Sequence, residues 1–305
     1  MEQGAVVSIG TFDGIHLGHQ AILHELRRQA EAHSLRSIVY AFSDPPRWAL
    51  HGGEERFLLL PTHLRLEMLG RYADGVLPIA FESVCRMEPA DFVETVLIGQ
   101  LHAQVVVEGA SFRFGRNRSG DLETLHALGN QMGLKVISVP PVLVHKHAVS
   151  STRIRAAVRT GDFETARDCL GRSPALIGTV VRGDHLGSKM GFPSANLSID
   201  PHVLVPHHGI YLVHATGDRF RVNGLLYIGL RPTLGLGKLR FEVHLLDFPA
   251  SNLYDEVLEI HLLTRIREDR TFPSLDALRV QIEADIRIAR NLLSAYPLFE
   301  ERISS

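Results

Sequence analysis

His16 and His19 stand three residues apart within Ser8-Ile9-Gly10-Thr11-Phe12-Asp13-Gly14-Ile15-His16-Leu17-Gly18-His19, a stretch whose residue types suit the handling of a phosphate. At that spacing two side chains share one face of a helix. Imidazoles, with an ordinary pKa of about 6.5, donate hydrogen bonds to phosphate oxygens and strengthen them as negative charge builds during transfer. Gly10, Asp13, Gly14 and Gly18, with Thr11 and Phe12 between them, supply the small residues that let a backbone turn close on an anion. The elements that must position the pair lie on either side. Val6–Ile9 is a short apolar run, and Ile22, Leu23, Leu26 and Ala30 follow at helical spacing. A strand, a glycine turn and a helix start bring free N–H groups and the positive end of a helix dipole to one point. Surface histidines capping an ordinary helix are the plainer alternative, and the four small or acidic positions around them count against it.

The pattern around this turn repeats as far as about residue 170. Apolar runs at Val6–Ile9, Ser37–Phe42, Val76–Phe81, Val105–Val107 and Val136–Val139 alternate with helical spacing over 18–33, 62–72, 90–101 and 121–132. Pro89 suits a first helical residue, and Gly133 suits a helix stop. Near-continuous apolar strands between helices predict a parallel sheet covered on both faces, with ligands at the carboxyl ends of the strands. Two later stretches return to that edge. Ser150, Ser151 and Thr152 open another helix; their hydroxyls either cap it or hold a triphosphate, with Arg155 as a forked clamp on phosphate oxygens. The run from Glu108 to Gly120 is rich in glycine and arginine. It holds Ser111, Phe112, Phe114 and Arg116, which could stack a flat ring and bind a phosphate.

The character changes near Gly171-Arg172-Ser173-Pro174. Short β-rich runs follow at Ile177–Val181, Ile210–Ala215, Val222–Ile228, Phe241–Phe248 and Val257–Leu263, with a hairpin turn at Thr216-Gly217-Asp218. Strands without intervening helices predict an antiparallel barrel. A closing helix over Leu275–Leu293, with Leu275, Leu278, Ile282, Ile286, Ala289 and Leu293 on one face, is expected to serve packing alone. Three features of this half could carry chemistry. Gly183 and Gly187 flank a glycine-rich segment that lacks the frame of a P-loop. Ser194 and Asn196 are hard oxygen ligands suited to Mg2+ between phosphates, or equally a turn. Glu242 is a lone carboxylate in an apolar strand, either on the exposed face or a general base.

The 305 residues carry a net charge of −2, which advertises neither a nucleic-acid nor a membrane partner. Two cysteines, Cys85 and Cys169, form no framework and have no metal-ligand spacing, and a reducing cytoplasm fits them. No secretory signal is expected, and no apolar run approaches the roughly 18 residues of a membrane span. Most of the 17 histidines, including His145, His147, His207 and His208, read as surface residues.

The first motif resembles the G-x-F-D-x-x-H-x-G-H signature of nucleotidylyltransferases. With Gly109–Gly115 and Ser150–Arg155 it is similar to the adenylyltransferase domain of the bacterial bifunctional riboflavin kinase/FMN adenylyltransferase family. Gly178–Asn196, Ile228–Thr233 and Glu242–Phe248 look like that family's kinase barrel. The resemblance implies a Rossmann-like nucleotidylyltransferase domain over 1–171, then an antiparallel riboflavin kinase barrel with a C-terminal helix over 172–305. It implies riboflavin, FMN and ATP as substrates, FMN and FAD as products, and Mg2+ as cofactor, in a cytoplasmic enzyme that could form homo-oligomers. Glu242 would be the base of the kinase, and Ser194 and Asn196 its metal ligands. His16, His19 and Arg155 would serve adenylyl transfer, and Gly183 and Gly187 the nucleotide of the kinase. Phe112, Phe114, Arg116 and Arg231 would contact flavin. The chain departs from the family pattern at Pro45, Ser111, Ser194 and Asp255, where a His, an Asp or Asn, a Thr and a Gly are usual. Two other readings compete: a nucleotidylyltransferase acting on a different phosphorylated acceptor, and a flavin- or RNA-binding regulator without catalysis.

Overall fold

The computed structural model describes residues 4–45, 56–183, 187, 190–230, 239–249 and 252–298. The chain divides into two compact units, residues 1–151 and 152–305.

The first unit is built on five parallel strands: β1 (Ala5–Gly10), β2 (Arg36–Phe42), β3 (Gly75–Ile79), β4 (Ala103–Gly109) and β5 (Lys135–Val139). Their order is β3-β2-β1-β4-β5. The chain therefore moves outward from β1 to β3, then returns to the other side of β1. That reversal between β1 and β4 makes a crevice at the carboxyl edge, the place where open α/β sheets take ligands. Helices α1 (Leu17–His33), α2 (Thr62–Leu69), α3 (Pro89–Asp91, continuing as a π-helix over Phe92–Gln100) and α4 (Leu122–Met132) connect the strands. The core follows the apolar patterning: Val7, Ile9, Val93, Leu97, Val106 and Leu125 are buried together. Gly133 ends α4 in the left-handed conformation (φ 75°), as a residue without a Cβ does readily. A small hairpin, β6 (Leu143–Val144) with β7 (His147–Ala148), follows β5. His145 and His147 on it are exposed, as expected of surface histidines.

Helix α5 (Ser151–Thr160) begins at the last residue of the first unit, and α6 (Phe163–Leu170) follows it in the second. Six antiparallel strands then close a barrel: β8 (Ala175–Val181), β9 (Ala195–Ile199), β10 (Gly209–Thr216), β11 (Arg221–Leu230), β12 (Leu239–Leu245) and β13 (Val257–Glu268), in the order β10-β11-β12-β9-β8-β13. Closure removes the sheet edges that a short meander would leave exposed. The turn expected at Thr216-Gly217-Asp218 connects β10 to β11, with Gly217 N–H donating to the Phe220 carbonyl at 3.0 Å. One strand was not legible. Ala195–Ile199 reads as a turn because its alternation is short and polar, yet it pairs with both β8 and β12.

Helix α7 (Leu275–Leu292) is capped by Ser274, whose hydroxyl accepts from Ala277 N–H at 3.1 Å. Its far half packs through Ile286, Ala289 and Leu292 against Leu212, Leu225 and Leu263. Its near half departs from the expectation of pure packing. Leu275 is 57 % exposed, and Leu278, Ile282 and Asp285 line a pocket instead.

Candidate active sites

In the first unit, β1 delivers the chain into a turn in which Phe12 (φ 52°), Gly14 (φ 83°) and Ile15 (φ 41°) are left-handed, with Asp13 between the first two and His16 after the last. For the two that are not glycine this conformation costs roughly 1–3 kcal/mol each. Several ties hold it. Both Asp13 carboxylate oxygens accept from Leu59 N–H, at 3.0 and 3.1 Å, and Ser151 Oγ donates to the Asp13 carbonyl at 3.0 Å. Arg65, fully buried on α2, donates to the Thr11 carbonyl and, at 2.8 Å, to the Ser43 carbonyl. Burial pushes the Arg65 guanidinium down from its ordinary value, and Asp13 and Asp44 oppose that shift. Arg65 was missed in the sequence; its one signal is a charge on the same helix face as Leu64, Met68 and Leu69.

The turn ends at His16, which caps α1: its Nδ1 accepts from His19 N–H at 3.2 Å. That bond fixes the tautomer, because an accepting Nδ1 leaves the proton on Nε2. The His16 and His19 rings stack at 3.6 Å with 15° between their planes. The spacing argument thus holds in a modified form, with His16 immediately before the helix and His19 in its first turn. Gly18 makes the stacking possible, since a Cβ there would lie 3.2 Å from the His16 ring. Gly10 does the same for the Phe12 ring, also at 3.2 Å. The start of α1 with its dipole and two adjacent imidazoles therefore meet at one point.

The other expected contributors are placed as follows. Ser111 is exposed in the loop after β4. Phe112 and Phe114 stack at 5.5 Å, with Phe114 buried against Phe92 and Phe112 partly buried in the same cluster. Arg116 is exposed and pairs with Glu88 at 2.9 Å. Ser150 precedes α5, and Ser151 starts it. Thr152 is exposed and Arg155 buried on α5 in the second unit. Pro45 is buried just beyond β2. Arg231 lies outside the described residues.

The second unit holds a pocket of about 270 Å³ between the barrel and α7. Its lining is mixed: Met190, Phe192, Ile210, Leu225, Leu278 and Ile282 are apolar, while Ser194, Tyr227, Glu242, Arg267, Asp269 and Asp285 bring polar groups to it. An apolar slot with a few fixed polar groups is what an aromatic ligand with a polar tail requires. Glu242 and Asn196 sit opposite each other on β12 and β9. Ser194 Oγ lies 3.4 Å from Glu242 Oε2, and Arg240 is 4.0 Å from Glu242 Oε1. The two glycines expected to serve a nucleotide close over these groups. A Cβ at Gly183 would collide with the Asn196 side chain, and one at Gly187 would collide with the Phe192 carbonyl and lie 3.0 Å from Ser194 Oγ. A hydroxyl, an amide carbonyl and a carboxylate form a hard-oxygen set that fits Mg2+ shared with nucleotide phosphates.

A charged pair in the same lining was not anticipated. Asp285, 2 % exposed on α7, accepts from Arg267 Nε at 2.9 and 3.0 Å, from Arg267 Nη2 at 2.9 Å and from Gln281 at 2.6 Å. This forked pair ties α7 to the end of β13. Its sequence signal was an acid placed between Ile282, Ile286 and Ala289 on the apolar face.

Comparison with known proteins covers both units. The family model described as FAD synthetase matches residues 1–153, and that described as riboflavin kinase matches 170–293. Bifunctional riboflavin kinase/FMN adenylyltransferases are 37% identical over 95% of this chain and 93% of the relative in Pseudomonas fluorescens. The Haemophilus influenzae relative is 35% identical, covering 94% of each chain. The Escherichia coli K12 relative is 33% identical over 95% of this chain and 93% of its own. A solved structure described as a macrolide-efflux protein from Streptococcus pneumoniae superposes with a TM-score of 0.85 at 30% identity, covering 95% of both chains. Among the described residues, no helix here is long and apolar enough to cross a membrane. The chain belongs to the bifunctional riboflavin kinase/FMN adenylyltransferase family.

Proposed function

We propose that this chain converts riboflavin to FMN and then FMN to FAD, using one ATP in each step. The observation that carries the reading is the presence of two separate phosphate-handling geometries in one chain. One is the stacked His16–His19 pair at the start of α1, and the other is the Ser194–Glu242 cluster in an apolar pocket.

In the kinase step the flavin ring lies in the slot formed by Phe192, Leu225, Leu278 and Ile282. Its ribityl hydroxyl faces Glu242, which takes the proton as that oxygen attacks the γ-phosphorus of ATP. The bond from the γ-phosphorus to the bridging oxygen breaks, and ADP leaves. Ser194 and Asn196 would hold Mg2+, which supplies neutralisation of the phosphate charge. Gly183 and Gly187 keep the backbone low enough for the nucleotide to approach.

In the transferase step a phosphate oxygen of FMN attacks the α-phosphorus of a second ATP, and pyrophosphate departs. His16 and His19 donate hydrogen bonds to the oxygens that gain charge, with His16 doing so through Nε2. The turn from Gly10 to Gly14, Gly18 and the α1 N–H groups hold the phosphates. Ser111, Ser150, Ser151, Thr152 and Arg155 assist with the nucleotide, and Phe112, Phe114, Arg116 and Arg231 with the flavin. Positioning and charge stabilisation supply most of the catalysis. We draw the functional boundary at Gly171/Arg172, where the helical run ends. A cytoplasmic, nucleic-acid-independent enzyme, able to form homo-oligomers, completes the reading.

Chromatography of products from riboflavin, ATP and Mg2+ tests it. FMN followed by FAD is the expected result. Neither product, even when FMN is supplied, would overturn it.

A further inference from the structure

Strands β1 and β4 part company before either of them ends. Their pairing stops at Val7 opposite Val106. On its other side β1 stays paired with β2 as far as Gly10 opposite Ala41, and β4 stays paired with β5 as far as Gly109 opposite Val139. The sheet is thus continuous on both flanks and split along one seam, at its carboxyl edge. In the register of the paired part, Ile9 falls opposite Glu108.

A side chain stands in the split. Glu108 is 3 % exposed, and its Oε1 accepts from Ile9 N–H at 2.6 Å and lies 3.4 Å from Ser8 Oγ. The carboxyl also accepts from Gly109 N–H. Ile9 N–H is the donor that would continue the β1–β4 ladder, so the carboxyl occupies the place of a main-chain carbonyl. Burial pushes the Glu108 carboxyl well above the usual carboxylate range, against the pull of its three donors. A buried acid at the end of a valine run is a costly choice for packing alone. Its neighbours on one strand are Gly10 and the turn that leads to His16; on the other it is followed by Gly109.

We propose that Glu108 is a positioning residue for nucleotidyl transfer: its side chain wedges β1 from β4 and sets the width of the cleft that receives a nucleoside triphosphate. The inference rests on the transferase reading above. Glu108 touches no reacting atom. It acts by holding the start of the phosphate turn apart from the end of β4. With an apolar residue at 108, Ile9 N–H re-pairs with the β4 backbone, the ladder zips by a further step, and the cleft narrows.

The test compares full-length wild type with Glu108→Val and Glu108→Gln, measuring FAD formation from FMN with ATP varied. FMN formation from riboflavin and the melting temperature serve as controls. Glu108→Val retains the fold and the riboflavin kinase rate, while KM for ATP in FAD formation rises about tenfold with a smaller fall in kcat. Glu108→Gln keeps an accepting oxygen at the same place and stays within about twofold of wild type. Unchanged KM in Glu108→Val, or equal damage in both variants, overturns the wedge. If Glu108→Val unfolds, Glu108→Gln decides by itself, and a tenfold rise in its KM is then the overturning result. Absence of FAD from wild type overturns the transferase reading itself, an outcome separate from either of these.

Discussion

The two sites reach phosphate chemistry by opposite routes. The centre of the proposed transferase site is one continuous segment, Ser8 to His19, built from left-handed backbone and a helix start together with two stacked rings. The proposed kinase site is made almost entirely of side chains from segments far apart in the chain, with Ser194, Tyr227, Glu242, Arg267 and Asp285 brought to one pocket. The first depends on its glycines and turn as much as on its two histidines. A site of side chains depends on the pairings that hold its walls together. That contrast can be broken or sharpened by experiment.

The largest separation is expected from the catalytic groups. His19→Ala should lower FAD formation from FMN by on the order of 10³-fold, while FMN formation from riboflavin remains at the wild-type rate. Product chromatography with each substrate in turn would show this, and equal loss of both activities would refute two independent sites. Glu242→Gln should give the mirror image: riboflavin phosphorylation down by roughly 10²–10⁴-fold, with supplied FMN still converted to FAD. A normal kinase rate in this variant would remove Glu242 from the role of base.

A smaller effect tests the wall of the pocket. Asp285→Asn takes the charge from the buried pair with Arg267 and loosens α7, so KM for riboflavin should rise about tenfold with kcat less affected. Steady-state kinetics of the kinase step alone would check it. FAD formation from FMN should not move.

The smallest effect belongs to the frame of the first unit. Asp74 accepts from Ser37 N–H at 2.9 Å and Ser37 Oγ at 2.8 Å, tying the start of β2 to that of β3. Those two bonds, backbone first, hold its carboxyl below the ordinary value. A lowered folded pKa means that the stabilisation is present above the unfolded value, near 3.9, and is lost as pH falls through the folded one. The melting temperatures of wild type and Asp74→Asn should differ by only about 1–2 °C near neutral pH and converge in strong acid. A gap that persists there would show that the carboxylate is not its source.

How much of this was legible follows from the same contrast. The glycine turn and its adjacent histidines could be read directly, because Gly10, Gly14, Gly18, His16 and His19 lie in one short segment and their spacing is their geometry. The parallel sheet was equally readable from its valine-rich strands. In the kinase half, Glu242, Ser194 and Asn196 were visible as residue types, but their meeting depended on β9 pairing with β12. No local pattern encodes that register, and the strand itself read as a turn. Arg65 and Asp285 looked like interruptions of apolar helix faces. Each is explained only by a partner, the Thr11 and Ser43 carbonyls in one case and Arg267 in the other. Helix α7, legible as an amphipathic segment, gave no sign that half of its apolar stripe would face a ligand pocket.

The sequence by itself determined the alternation of strands and helices in the first half, the β-rich second half, and the glycine turn with its two histidines. Periodicity and glycine placement act over a few residues, and so they survive as patterns along the chain. Tertiary structure alone decided which buried charges find partners, where β1 and β4 separate around Glu108, and which face of α7 closes the pocket. These depend on contacts between residues about 20 to 100 positions apart, whose energies are set by mutual burial and by hydrogen bonds that exist only once the chain has folded.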